Sequence, residues 1–482
     1  MRAYGIALLF ITTPLFASQA AATHAALATS SPIATRAGLN ILERGGNAID
    51  AAVAVALVLG VAQPDATGIG GGGSLVYFDA KSGAVWTLDF REVSPIEATL
   101  ATKLRAGTPG FLAGLDAMHA KFGTMQWRDL VAPSIALARE SSKPELATTL
   151  TRIAEAGARD FYRGALAEHF ITAVQAAGGA VGHRDLREYE AVWRAPIRIR
   201  FGDYDIFAPS PPSSGGIVIG EVLNIIGATD LVKLGWQSPK TIHFLVEAQR
   251  RASIDAAKYI SDPTNARIPY RDLLSADRAA MWRASIKPDK VTPTSTLTEP
   301  GTTASEAPHT THFTIADRSG NVAAVTTSIG GGTFMLPGLG FPLNDALNDF
   351  SGNANAFATR KRPATSDAPT LVLKNGRAFL ALGSSGGAAI PTTVLQVLIN
   401  TIVFKKSLAD AIAAPRYHQQ ALPDEIDYED AFAPKATIDA LNAMGHAVVA
   451  RGTIGDVHAV MFDRGKIIAV ADPRHGGAAG GY

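Results

Sequence analysis

An α/β fold is what this sequence predicts, and three observations predict it. Of 482 residues, 47% are hydrophobic and 46 are glycine, a composition that suits a packed α/β core with many tight turns. Helical patterns dominate residues 23–62 and 108–262. Beyond residue 310 the pattern turns to short alternating strands. The chain is long enough for a large core, and length alone allows two to four domains. With 44 Lys+Arg against 43 Asp+Glu, no global charge draws it to nucleic acid or a membrane surface. It has no cysteine, which excludes disulfides, a thiolate nucleophile and Cys-based metal sites.

Residues 1–22 are expected to be a signal peptide. Arg2 gives a positive start, and residues 3–16 are mostly apolar, broken only by Thr12, Thr13 and Pro14. Small residues at Ala17, Ser18, Ala20, Ala21 and Ala22 place cleavage after Ala20 or Ala22. An uncleaved anchor is the alternative, but the run is shorter than the ~20 residues a span needs. The expected location is therefore outside the cytoplasm, periplasmic or secreted.

Helix is expected through residues 25–42, followed by a turn at Glu43-Arg44-Gly45-Gly46-Asn47. Asn47 is placed to cap a buried, all-apolar helix over 48–62, with Asp50 completing a capping box. Gly68-Ile69-Gly70-Gly71-Gly72-Gly73 contains G-x-G-x-x-G, yet leads from helix into strand, the reverse of a dinucleotide fingerprint. A close backbone crossing that only glycine permits is the better reading. Strands are expected at 74–78 and 84–90, and an amphipathic helix over 242–262. Residues 285–309, rich in Pro, Thr, Ser, Ala and Glu, are expected to form a mobile linker. After it, 311–315 and 322–328 form a hairpin around Asp317-Arg318-Ser319-Gly320-Asn321. Further strands are expected at 369–372, 378–382, 447–449, 459–462 and 467–471, with helices over 392–403 and 435–444.

Four segments could carry chemistry. At His309-Thr310-Thr311-His312 the linker meets a strand. A cut before Thr310 would give it a free α-amine of pKa about 7.7–8.0, able to act as base for its own hydroxyl. An ordinary strand threonine is the alternative. Gly383-Ser384-Ser385-Gly386-Gly387 could aim backbone N–H groups at an oxyanion, or be a plain glycine turn. In Asp89-Phe90-Arg91-Glu92, Arg91 could clamp a carboxylate, or sit in a surface ion pair. In Arg362-Pro363-Ala364-Thr365-Ser366 two hydroxyls could complete that site, or cap a turn. The histidines show no metal-binding spacing.

Taken in order, these segments resemble the γ-glutamyltransferase (γ-glutamyltranspeptidase, glutathione hydrolase) family. The match covers almost the whole mature chain: Gly45 to Ala52, Gly68 to Gly72, Asp89 to Glu92, Pro109-Gly110 and Pro211-Pro212-Ser213-Ser214-Gly215-Gly216. It continues through Thr310-Thr311-His312, Leu343-Asn344, Asp349-Phe350-Ser351, Gly386-Gly387 and Asp472-Pro473-Arg474 to Gly481-Tyr482. The resemblance implies one folded domain, the four-layer αββα sandwich of the N-terminal nucleophile hydrolases. It implies self-cleavage at His309-Thr310 into a heavy chain (23–309) and a light chain (310–482). Thr310 would be the nucleophile, Ser328 would support it, and Gly386 and Gly387 would form the oxyanion hole. Arg91, Thr365 and Ser366 match the group that holds the glutamyl α-carboxylate, and Asp349 the residue that pairs with the α-ammonium.

The implied activity is hydrolysis or transfer of the γ-glutamyl group of glutathione and related amides through a Thr acyl-enzyme, to water or an amino acid or peptide. No cofactor, metal or nucleic-acid partner is implied. Gly330 stands where the family usually has Asn, Ala346 where it often has Gln, and the segment 352–361 is short. These departures support an alternative, a glutaryl- or cephalosporin-type acylase. A second alternative is an unprocessed, catalytically silent binding protein.

Overall fold

The computed structural model describes residues 18–227, 229–297, 309–332, 334–352, 354–429 and 434–482. Two seven-stranded sheets, antiparallel throughout, are stacked on each other and covered by helices on both outer faces. This is the expected four-layer sandwich. One sheet runs Ala478–Gly481, Ala26–Thr29, Thr310–Ala316, Val322–Ser328, Gly72–Asp79, Ala84–Asp89, Val192–Arg194. The other runs Ser18–Ala22, Lys466–Ala471, Asp456–Asp463, Arg377–Ser385, Thr370–Lys374, Tyr204–Ala208, Ile197–Phe201.

Three apolar clusters correspond to the three interfaces between layers. The first packs Ala48–Ala62 and neighbouring helices onto the first sheet. Ala48–Ala62 is buried nearly throughout, and Asn47 caps it as expected: its side chain accepts from Ile49 and Asp50 N–H, while Asp50 accepts from Asn47 N–H. The second cluster packs Gly215–Ile226, Pro239–Tyr259 and Ile390–Ile402 onto the other sheet. The third lies between the sheets and is built largely of small side chains, among them Ala26, Ala28, Ala316, Ala324, Ala381, Ala469 and Ala471. Small residues let two sheets approach closely without leaving voids.

Strand alternation sends Phe313 and Ile315 to the helices, and His312 and Thr314 to the sheet interface. His312 is fully buried there, its ring held by Thr326 Oγ1 and Thr314 Oγ1, both at 2.9 Å. The ring fills the space above Gly383 of the facing sheet, where any Cβ would collide with it.

The expected strands and hairpin are present. Four expectations need correction or completion. Residues 26–29, expected to be helical, are a strand, because hydrogen bonding to strands on both sides outweighs the helix preference of two alanines and a leucine. The helical reading of 108–262 missed three strands between 192 and 208, although Ile197–Phe201 alternates buried and exposed residues. Part of the linker is docked: Val291 N–H donates to Met444 O at 2.9 Å, and Thr294 is buried and bonded to Arg250, Asp424 and Ala421. Residues 298–308 of it lie outside the described residues. So do residues 1–17 of the expected leader, while its last five, Ser18–Ala22, pair with Lys466–Ala471 at the edge of a sheet. No helix among the described residues is long and apolar enough to cross a membrane.

Burial pushes the His312 imidazole well below its ordinary pKa, with His458 adding to the effect. The folded state therefore resists protonation that the unfolded chain accepts near pH 6.5. The stability this neutral histidine contributes is complete above that pH and lost as pH falls below it, by up to about 1.4 kcal/mol per pH unit. Urea unfolding between pH 7.5 and 5 is expected to show a shallower loss for His312→Gln than for the wild type; equal slopes would remove His312 from this role.

Candidate active site

Thr310 opens its strand and lies directly opposite Ser328, the last residue of the next strand. The two hydroxyls are 3.0 Å apart, with Thr310 donating. Ser328 in turn donates to the carbonyl oxygen of His309 at 2.8 Å, and Ile329 N–H reaches the same oxygen at 3.4 Å. Gly330 N–H donates to Ser328 Oγ at 3.1 Å. Ser328 thus spends one donor and two acceptor positions, and the His309 carbonyl is polarised beside the Thr310 hydroxyl.

Glycines around this point are required by contact. A Cβ on Gly71 would strike the Ser328 carbonyl, and one on Gly70 the Pro342 carbonyl. The Gly-rich run is therefore the close crossing expected, threaded between the end of the Val322–Ser328 strand and Leu343. Asn344 fastens this crossing: its amide donates to Gly70 O at 2.7 Å and Gly107 O at 3.0 Å, while its oxygen accepts from Gly107 and Ala346 N–H.

Asp349 follows the short Ala346–Asn348 turn and is paired with the buried Arg91 guanidinium. Arg91 also lies 3.5 Å from Glu92, whose carboxyl is raised by burial despite the neighbouring cation. The sequence left Arg91 open between a clamp and a surface ion pair; it is in a buried pair. Behind it, Asp89 accepts from Arg91 N–H and pairs with Arg194 and Arg362. Arg362 thereby ties the Arg362-Pro363-Ala364-Thr365-Ser366 segment to the Asp89-Phe90-Arg91-Glu92 segment.

Thr365 and Ser366 share the rim of one pocket with Asp349. Ser366 donates to Gly387 O at 2.7 Å, which links the pocket to the glycine turn. Gly386 and Gly387 have φ of +125° and +56°, backbone that side chains disfavour. The Pro211 to Gly216 motif buttresses this region from behind. Ser214 N–H and Oγ donate to Thr365 O at 2.7 and 3.0 Å, and Ser213 Oγ donates to Asp367 O at 2.5 Å.

Two positions escaped the sequence reading. Asn355 is buried on the pocket wall; it donates to Asp349 O at 2.7 Å and accepts from Ala364 N–H at 2.9 Å. It braces the Asp349 segment against the Thr365–Ser366 segment. A single Asn in a short loop carries no pattern that would reveal this. Asp345 accepts from Gly331 N–H at 2.7 Å, and a Cβ added to Gly330 would collide with its Oδ1. The carboxylate thus occupies the space a side chain at 330 would need. Only the paired departure from Asn at 330 could have pointed to it. Among the described residues no group of three His, Asp or Glu is placed to hold a metal.

Comparison with known proteins shows the family to which the chain belongs. Residues 34–142 and 140–482 match the family described as Gamma-glutamyltranspeptidase. The chain is similar to the glutathione hydrolase proenzyme of Escherichia coli (strain K12), with 34% identity over 92% of this chain and 89% of that protein. It is also similar to the acylase ACY 1 proenzyme of Pseudomonas sp. (strain SE83), with 31% identity over 92% and 91%. Its fold superposes on the crystal structure of cephalosporin acylase from Bacillus halodurans with TM-score 0.87 and 25% identity, covering 96% of this chain and 97% of that one.

Gly330→Asn is expected to displace Asp345 and strand the Gly331 N–H, destabilising the protein by about 1–3 kcal/mol. The same change in an Asp345→Ala background should cost much less, because the collision is gone. A denaturation double-mutant cycle measures the coupling, and strict additivity would refute the collision.

Proposed function

Because the chain belongs to the γ-glutamyltranspeptidase family, we propose that Thr310 is the nucleophile of a self-cleaving γ-glutamyltransferase-like enzyme, both in its own processing and in turnover. The observation that carries this reading is the Thr310–Ser328–His309 arrangement, a buried hydroxyl held beside a polarised carbonyl.

In processing, Thr310 Oγ attacks the His309 carbonyl carbon and loses its proton. The C–N bond to Thr310 breaks as the nitrogen takes up a proton, leaving an ester and a free α-amine. Water then cleaves the ester. Ser328 Oγ–H and Ile329 N–H stand where the oxyanion of this step forms. In turnover the α-amine takes the Thr310 hydroxyl proton, Oγ attacks a γ-glutamyl amide, and the amine departs protonated. Gly386 and Gly387 N–H groups are assigned to the oxyanion of this reaction. Water or an amino acid or peptide amine resolves the acyl-enzyme.

The donor head group is assigned to Arg91, Thr365 and Ser366 through its carboxylate and to Asp349 through its ammonium. Arg91 and Asp349 pair with each other, so a zwitterionic head group would replace one buried ion pair by two. Asp345, beside Gly330, supplies a carboxylate near the position where the family's Asn is missing. A glutaryl-type acylase is the second reading, and the absence of side-chain hydrogen-bonding groups at Gly330 and Ala346 favours it.

Export is proposed on the apolar N-terminal run. Ser18–Ala22 is knitted to Lys466–Ala471, and Ser18 Oγ accepts from Ala479 N–H at 3.1 Å. A cut after Ala17 keeps this strand, whereas a cut after Ala20 or Ala22 shortens or deletes it.

Intact mass is expected to show a 173-residue fragment, Thr310–Tyr482, for the wild type. Thr310→Ala should remain one chain and hydrolyse no γ-glutamyl anilide; continued cleavage at this bond in that variant would defeat the reading. Expressed with export, the heavy chain is expected to begin at Ser18; a start at Ala21 or Thr23 by N-terminal sequencing would contradict the placement.

A further inference from the structure

The pocket rimmed by Asp349, Thr365 and Ser366 extends well past them. Its cavity volume is about 110 Å3, and it opens to solvent at its mouth. Its far wall is set by two helices. Ser253, Ala256 and Ala257 fall at i, i+3 and i+4 on one face of Pro239–Tyr259, and Ile260 follows at its end. Val218 of Gly215–Ile226 lies across from them, and Pro391 closes one side. Elsewhere Pro239–Tyr259 buries Ile242, Leu245 and Val246 against its neighbours. Here it presents only small side chains, so the space between the helices stays open, and Ala257 at its edge is exposed.

Two features indicate what this trough holds. Among the described residues, Asp349 is the only ionisable group on its wall, so everything beyond the head-group residues is neutral and mostly apolar. The wall includes neither Thr310 nor Ser328. It does include Asp349, Thr365 and Ser366, so the trough adjoins the residues assigned to the head group and not Thr310, where the leaving amine departs.

We infer that the trough receives a neutral apolar extension carried by the head group of the acyl donor. The favoured donors are then γ-glutamyl amides whose α-amino or α-carboxyl group bears such a substituent; each keeps one head-group charge, for Arg91 or for Asp349, while those two side chains stay paired with each other. The inference rests on the Thr310-centred reading above and leaves its bond changes as written.

The test compares three anilides on the processed enzyme: γ-glutamyl anilide, its N-butanoyl derivative and its α-butylamide. At least one extended donor is expected to have a kcat/KM tenfold or more above the parent, and which one shows where the substituent attaches. Ala257→Trp and Ser253→Phe, each confirmed to release the fragment starting at Thr310, are expected to cut that advantage at least tenfold. A parent anilide that is turned over faster than both extended donors overturns the inference and leaves the Thr310 reading standing. No turnover of any anilide by processed enzyme removes the γ-glutamyl donor reading, and this inference with it. Should the substitutions change the dependence on the leaving amine and not on the acyl group, the trough holds the amine and the assignment is wrong.

Discussion

The register that sets Thr310 opposite Ser328 is the constraint on which the site depends. Side chains alternate along a strand, so a slip of one residue would turn Thr310 into the helical layer and bring Thr311 to the sheet interface. The hairpin turn prevents it. Asp317 Oδ1 accepts from Ser319 and Asn321 N–H at 2.8 and 3.1 Å, and Oδ2 takes the Asn321 amide at 2.8 Å. The same carboxylate accepts Ala48 N–H at 2.9 Å, so the turn is anchored to the N-terminus of the buried helix beneath it. Negative charge at a helix N-terminus is favourable in itself. The turn that fixes the nucleophile is therefore fixed by the core.

Around that point the protein concentrates buried charge. Arg91, Glu92, Asp349, Asp89, Arg194 and Arg362 form a continuous set reaching from the pocket to the edge strand Val192–Arg194. Buried ion pairs contribute little net stability against apolar replacements, yet losing one partner costs about 3–5 kcal/mol. Such a network is a poor way to hold a fold together and a good way to hold one geometry. It keeps the Arg91 guanidinium at a fixed place without help from a ligand. Asn344 and Asn355 do similar work with neutral groups, fastening loops that have no regular partner of their own.

What the sequence disclosed follows from the range of each interaction. The Asn47 cap, the hairpin and the Gly-rich crossing are local, and their residues lie within a few positions of one another. Thr310 stood out at the junction of a polar linker and a strand, and the order of motifs along the chain gave it its proposed role. Residues 26–29 were misread because their strand exists only through partners at 310–316 and 478–481, nearly three hundred residues away or more. Asp345 and Asn355 were invisible for a different reason: their partners lie close in sequence, but they act through individual backbone contacts and a collision that leave no residue pattern. Motif order pointed to Arg91, Asp349, Thr365 and Ser366, but not to the pairing of Arg91 with Asp349.

In the proposed mechanism, processing and turnover share the Thr310 hydroxyl but obtain their carbonyl groups differently. In processing the carbonyl is supplied by the peptide bond itself, at an effective concentration no binding site must provide. Ser328 and the backbone suffice to orient it. In turnover a separate molecule must be seized, the task proposed for Arg91, Asp349, Thr365, Ser366 and the trough beside them. Changes at 330 or 346 therefore bear on the second reaction and leave the geometry of the first intact. The Gly330–Asp345 contact illustrates this separation. Gly330 N–H still donates to Ser328 Oγ, as the cutting arrangement requires, while the face it turns to the donor carries a carboxylate from another loop. A lineage can thus change what it hydrolyses while keeping the step that makes the enzyme.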